Sequence, residues 1–178
     1  MWWLERIREQ RVKNVATLAL ALLLGGCFQP LYGDPPLGRT SVRDAMREVE
    51  IAPIDGRVAQ ALRNDLIFEL TGGDGNPTGA PYRLAITVSA GTSTPPIIDP
   101  TTGVPAVEIV TLNVTYRLVE VANNKTLMSD RALARVTVDR SQQRFARVRG
   151  VRDAENRAAK SVAVQIRSRL AAYFLTKS

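Results

Sequence analysis

Apolar residues recur along the chain in two periods, and each change of period marks a change of element. Val110, Leu112, Val114, Tyr116 and Leu118 alternate with Thr111, Asn113, Thr115 and Arg117, the two-residue period of a strand with one buried and one wet face. Tyr82, Leu84, Ile86 and Val88 alternate in the same way with Arg83, Ala85 and Thr87, and Val49 and Ile51 in VEIAPI give a short strand ending near Pro53. Val107 and Ile109 fall on the opposite parity from Val110, which predicts a bulge or a change of face near Ile109. Asn123-Asn124 suits a tight hairpin turn because asparagine tolerates positive φ, and it leads into a fourth strand with Ala132, Ala134, Val136 and Val138 facing alike.

The four-residue period appears twice. Val58, Leu62, Leu66 and Leu70, with Ala61 alongside, predict a helix capped by Asp55 and stopped by Gly72 and Gly73. Ala158, Val162, Ile166 and Leu170, completed by Tyr173 or Phe174, predict a last helix capped by Asp153. The element order is therefore β-α-β-β-β-α, an α+β class with a small, mostly antiparallel four-stranded sheet and two amphipathic helices packed on one face. The first strand enters through a helical crossover, so a parallel pairing is expected for it. With one apolar stripe per helix, the other sheet face stays wet or meets another protein. Two stretches lack a period: Gly91 to Pro105, rich in proline, reads as a long loop, and Arg140 to Arg149 reads as a basic connector ended by Gly150.

The N-terminal stretch has a different pattern. Arg6, Arg8, Arg11 and Lys13 precede an uncharged apolar run from Val15 to Leu24, the order of a secretory signal, and Gly25-Gly26 end that run well short of the roughly 20 residues a membrane span needs. Leu24-Gly25-Gly26-Cys27 has the form of a bacterial lipobox, and Cys27 is the chain's single cysteine. A lone free thiol is a liability in an oxidising compartment, and acylation removes it. The expected organisation is a lipoprotein signal peptide over 1–26, a lipid-anchored tether over 27–46 and one domain over 47–178. Phe28 stands where, by resemblance to known sorting rules, an aspartate would retain the protein in the inner membrane, so an outer-membrane, periplasm-facing location is expected.

Charge and residue types narrow the chemistry. The chain carries 24 Lys+Arg, 17 Asp+Glu and no histidine. Past residue 26 it stays only mildly basic, which suits anionic lipid phosphates or an acidic partner surface. No basic motif interleaved with aromatics points to nucleic acid. Without histidine or a free thiol the commonest acid–base, metal-ligand and nucleophile chemistries are missing, so no catalytic residue, metal or cofactor is expected. Asp153 and Glu155 are better explained by the start of a helix than as a catalytic pair. Arg140, Arg144, Arg147 and Arg149 are either a guanidinium clamp for phosphate or a solvated charge run. Ile97 and Ile98, set among prolines, are either an ordinary loop tip or a contact for a partner.

The segments CFQPLYG (27–33), VEIAPIDGRVAQALRNDLIFEL (49–70), Tyr82 to Val88, TYRLVE (115–120) and DAENRAAKSVAVQIRSRL (153–170), in this order and spacing, resemble the lipopolysaccharide-assembly lipoprotein family LptE in its alphaproteobacterial form. The resemblance implies a small sheet with two helices packed on it, seated in the outer membrane as a plug of the LptD β-barrel. It also implies a non-enzymatic role in delivering lipopolysaccharide. In some members basic residues of two regions bind lipopolysaccharide: the loop before the long central strand and the connector before the last helix. Pro95 to Pro105 contains no Lys or Arg, so the first has no counterpart here; Arg140, Arg144, Arg147 and Arg149 are candidates for the second. Ile97 and Ile98 become candidates for contact with the barrel. The alternative is an auxiliary periplasm-facing lipoprotein of another envelope lipid-transport system.

Overall fold

The computed structural model describes residues 41–140 and 143–177. Cys27, the signal and residues 27–40 of the expected tether lie outside them. In chain order the elements are α1 (Val42–Arg47), β1 (Val49–Ile51), α2 (Arg57–Thr71), β2 (Tyr82–Ser93), β3 (Val107–Glu120), β4 (Lys125–Asp139) and α3 (Arg144–Lys177). The four strands form one sheet in the order β1-β2-β3-β4, with β1 parallel to β2 and the other pairs antiparallel. This is the α+β architecture expected from the alternation, crossover strand included.

The helices pack on one sheet face. Leu62, Leu66 and Leu70 of α2 and Ala158, Val162, Ile166 and Leu170 of α3 are buried against Leu84, Leu112, Val114, Tyr116 and Leu118. Of the two aromatic residues expected to finish the α3 stripe, Phe174 is buried and stacks edge-on with Tyr82. Arg57 meets Glu155 and Asn156 while Glu69 accepts from Arg167 at 2.9 Å, so α2 and α3 run side by side in the same direction. On the far sheet face Asn113, Thr115, Arg117 and Arg135 are exposed.

Several local expectations are corrected. The end of the expected tether is a helical turn: Ser41 caps α1 by accepting from the Asp44 N–H at 3.0 Å, and Met46 is buried in the core. Asp55 does not cap α2; the cap is Gly56 at φ 98°, a conformation that excludes a useful side chain there. Gly72, at φ 73°, ends α2 as expected. No bulge occurs at Ile109. The register of β3 against β4 runs unbroken from Val107 and shifts only between Leu118 and Val119, so Val107 and Ile109 lie on the outer face and Glu108 continues the buried row. Asn124 adopts φ 54° in the β3–β4 turn.

The two aperiodic stretches are more ordered than their composition suggests. β2 runs on to Ser93, and the remaining loop folds back on itself through a bridge between Ile98 and Pro105, with Ala106 N–H donating to Ile97 O at 2.8 Å. Asp99 closes the tip by accepting from the N–H groups of Thr101 and Thr102 at 2.7 and 3.3 Å, which holds its carboxyl below the usual range. The basic connector is helical from Arg144, so Gly150 does not end it and Asp153 caps nothing; Asp153 instead pairs with Arg157 one turn on. A glycine inside a helix costs about 1 kcal/mol. Here the packing is tight: a Cβ on Gly150 would lie 3.1 Å from Val138 Cγ1 of β4, which would have to give by a few tenths of an ångström.

Candidate functional site

The sheet end formed by the close of β2, the start of β3 and the exit of β4 faces the first turns of α2 and α3. Between them lies a cavity of about 680 Å³ walled by Arg57, Thr92, Val104, Glu108, Arg140, Arg144, Arg147, Val148, Val151, Arg152 and Glu155. Five arginines face two glutamates there, so the cavity is cationic and suited to an anion carrying several oxygens.

Helical spacing explains the α3 wall. Arg144, Arg147, Val148, Val151 and Glu155 recur at three and four residues and therefore share one face. Arg140 arrives from the other side, where its N–H donates to Ala106 O at 2.8 Å as the chain leaves β4.

Glu108 stands at the centre of the cluster. It is 1% exposed, on the core-facing row of β3, and its Oε1 lies 3.5 Å from Arg140 Nε and in ion-pair contact with Arg147. That oxygen sits as a counter-charge between two guanidinium groups that remain partly open to the cavity. Arg57 is engaged by Glu155 and by Asn156 Oδ1 at 2.9 Å. Among the described residues no acidic side chain pairs with Arg144 or Arg152, so these two, with the positive charge that Glu108 leaves over on Arg140 and Arg147, carry the cavity's unbalanced charge.

The candidate residues read from sequence separate here. Arg140, Arg144 and Arg147 meet in the cavity, whereas Arg149 points away from it and is exposed. Ile97 and Ile98 lie on the neighbouring hairpin, 56% and 51% exposed, and Val104 of the same hairpin reaches the cavity wall. Phe145, 84% exposed, stands beside Arg144 at the head of α3. Sequence reasoning missed Glu108, Arg57, Arg152 and Glu155 as members. For Glu108 a signal existed: it continues the Val110–Leu118 parity by one step.

A second polar group sits on the sheet away from the cavity. Tyr116 is fully buried, its hydroxyl donates to Asp130 Oδ2 at 3.5 Å, and Arg169 donates to the same oxygen at 2.8 Å. Burial pushes the Tyr116 hydroxyl up. The Arg131 N–H, followed by Arg169, holds the Asp130 carboxyl below its ordinary value. A depressed carboxyl adds stability that is complete above the unfolded value of about 3.9 and is lost as pH falls through the folded one. Replacing Asp130 with Asn therefore flattens the acid limb of the thermal midpoint below about pH 4 while leaving its shape above about pH 5 unchanged, as checked by a pH series of thermal melts.

The described residues form a small α+β domain with helices on one sheet face and a cationic cavity at one end. The family model for LptE, Lipopolysaccharide-assembly, matches residues 46–170, from the end of α1 to late α3, and the chain belongs to that family. No curated relative matches the chain. Among solved structures it is similar to a protein from Caulobacter crescentus CB15 described as a lipoprotein, at 24% identity and TM-score 0.62, over 77% of this chain and 97% of that one. It is also similar to a minor lipoprotein from Acinetobacter baumannii, at 12% identity and TM-score 0.53, over 70% and 88% of the two chains. A third is the rare lipoprotein B from Shewanella oneidensis, at 14% identity and TM-score 0.52, over 72% and 95%. At these identities the likeness is one of fold.

Proposed function

We propose that this member of the lipopolysaccharide-assembly family is a non-enzymatic lipoprotein, acylated at Cys27 after removal of residues 1–26. It works at the periplasmic side of the outer membrane with an LptD-like β-barrel. In this reading the residues between Cys27 and α1 are the tether, and the domain from α1 onward is the working part. Its cavity takes anionic phosphate groups of lipopolysaccharide. The observation that carries this is the convergence of Arg140, Arg144 and Arg147, from two elements, on one cationic cavity. A guanidinium fork binds phosphate oxygens in pairs and stays charged at any periplasmic pH. A solvated charge run would scatter these side chains, whereas three of the four line one cavity.

Reversing Arg144 and Arg147 to glutamate lowers lipopolysaccharide affinity by at least about tenfold, measured by titration of the purified protein. Unchanged affinity retires the phosphate reading. The barrel partnership is tested separately by pull-down from envelope extracts. A single large barrel protein is the expected product, and deletion of Ile97 to Thr101 reduces its recovery because the exposed hairpin is then gone. Recovery of an inner-membrane transporter complex in its place favours the auxiliary-lipoprotein alternative.

A further inference from the structure

We infer that Glu108 is a positioning residue for the cavity, holding Arg140 and Arg147 in place for an incoming phosphate group. The inference rests on the phosphate reading above. It makes a prediction opposite in sign to simple charge counting. A carboxylate in a cation site subtracts charge, so its removal ought to tighten anion binding. The geometry points the other way.

Glu108 is carried by a central strand, in register with Val138 of β4, and is buried to 1% exposure, so its carboxylate is held in place by its neighbours. Arg140 and Arg147 are long, rotamer-rich side chains whose immobilisation a ligand would otherwise have to supply. Both converge on the single oxygen Oε1, which leaves most of their five N–H donors each for a ligand. Gly150 lies close against β4, where a Cβ would come 3.1 Å from Val138 Cγ1, and the same helix brings Arg147 within reach of Glu108. Arg144, one turn earlier on the same face, has no such anchor. Beside the two guanidinium groups on Glu108, the cavity thus offers Arg144 and Arg152, which no acidic side chain pairs among the described residues.

Glu108→Gln, close in size and uncharged, tests this in two readouts on the purified protein. Its affinity for lipopolysaccharide falls about tenfold or more, although the cavity has gained net positive charge. In the nitrogen–proton spectrum the Nε–H resonances of Arg140 and Arg147, sharp in the parent, broaden in the variant while the backbone amides of α2, and of β3 from Leu112 onward, keep their positions. A merely structural role would move those amides as well. Glu108→Asp restores part of both signals. Affinity that is equal or tighter in Glu108→Gln, or arginine resonances equally sharp in parent and variant, overturns the inference. If the parent takes up no lipopolysaccharide the phosphate reading fails, and the spectra alone then decide whether Glu108 positions the arginines. Should Glu108→Gln not fold, Arg147→Lys, which keeps the charge but loses the fork, is expected to show the same tenfold loss, and undiminished affinity there counts against the inference equally.

Discussion

Truncating Leu66 to alanine lowers the free energy of unfolding by about 2–5 kcal/mol, a large share of the roughly 5–15 kcal/mol that holds a domain of this size together. Leu66 is completely buried midway along α2, in one cluster with Leu62, Leu70 and the inner row of β3. Its side chain fills space that close-packed neighbours enter only partly once it is gone, so lost transfer energy and a cavity term add. Phe68 is the control. Two residues along the same helix it is 63% exposed, and Phe68→Ala stays within about 0.5 kcal/mol although it removes a larger side chain. Urea unfolding checks the pair: the Leu66→Ala midpoint falls with an unchanged slope, and the Phe68→Ala midpoint hardly moves. Equal shifts would mean that α2 does not present the face described here.

Much of this architecture could be read from periods alone, because a strand or helix half buried on a sheet leaves its face written in the residue types. Val110 to Leu118 and the Leu62–Leu66–Leu70 stripe are such cases. The misreadings have a common cause, a tertiary contact outweighing a local preference. Gly150 looks like a stop, yet α3 runs through it with Val138 close against it. Ser41 and Asp44 form a capping pair that reads as tether when nothing shows that Met46 is buried beneath it. Once α3 is known to begin at Arg144, the sorting of the arginines follows from spacing, since 144 and 147 share a face that 149 does not. Glu108 was hidden differently. A carboxylate is expected on a wet face, and only the two arginines, supplied after β4 and within α3, make its burial tolerable.

Replacing Glu108 with leucine leaves the fold as stable as before or more stable by about 1–4 kcal/mol, while lipopolysaccharide binding is lost. Taking a carboxylate out of water is expensive, and attraction to two guanidinium groups, one of them 3.5 Å away, often repays the cost only in part. An apolar side chain at 108 continues the row from Val110 to Leu118 and removes that penalty. The arginines left behind are not stranded, because 29% and 43% of the Arg140 and Arg147 side chains are already exposed and water can solvate what Glu108 releases. The opposite truncation, Arg147→Ala, is the harsher one for stability, since it leaves the buried carboxylate with Arg140 alone at 3.5 Å. Denaturant midpoints and lipopolysaccharide titration of the two variants together separate the roles. A Glu108→Leu protein that is stabilised yet fails to bind means that the buried charge is retained at a cost to folding because the cavity uses it. Strong destabilisation of that variant would instead make Glu108 a structural tie between α3 and the sheet.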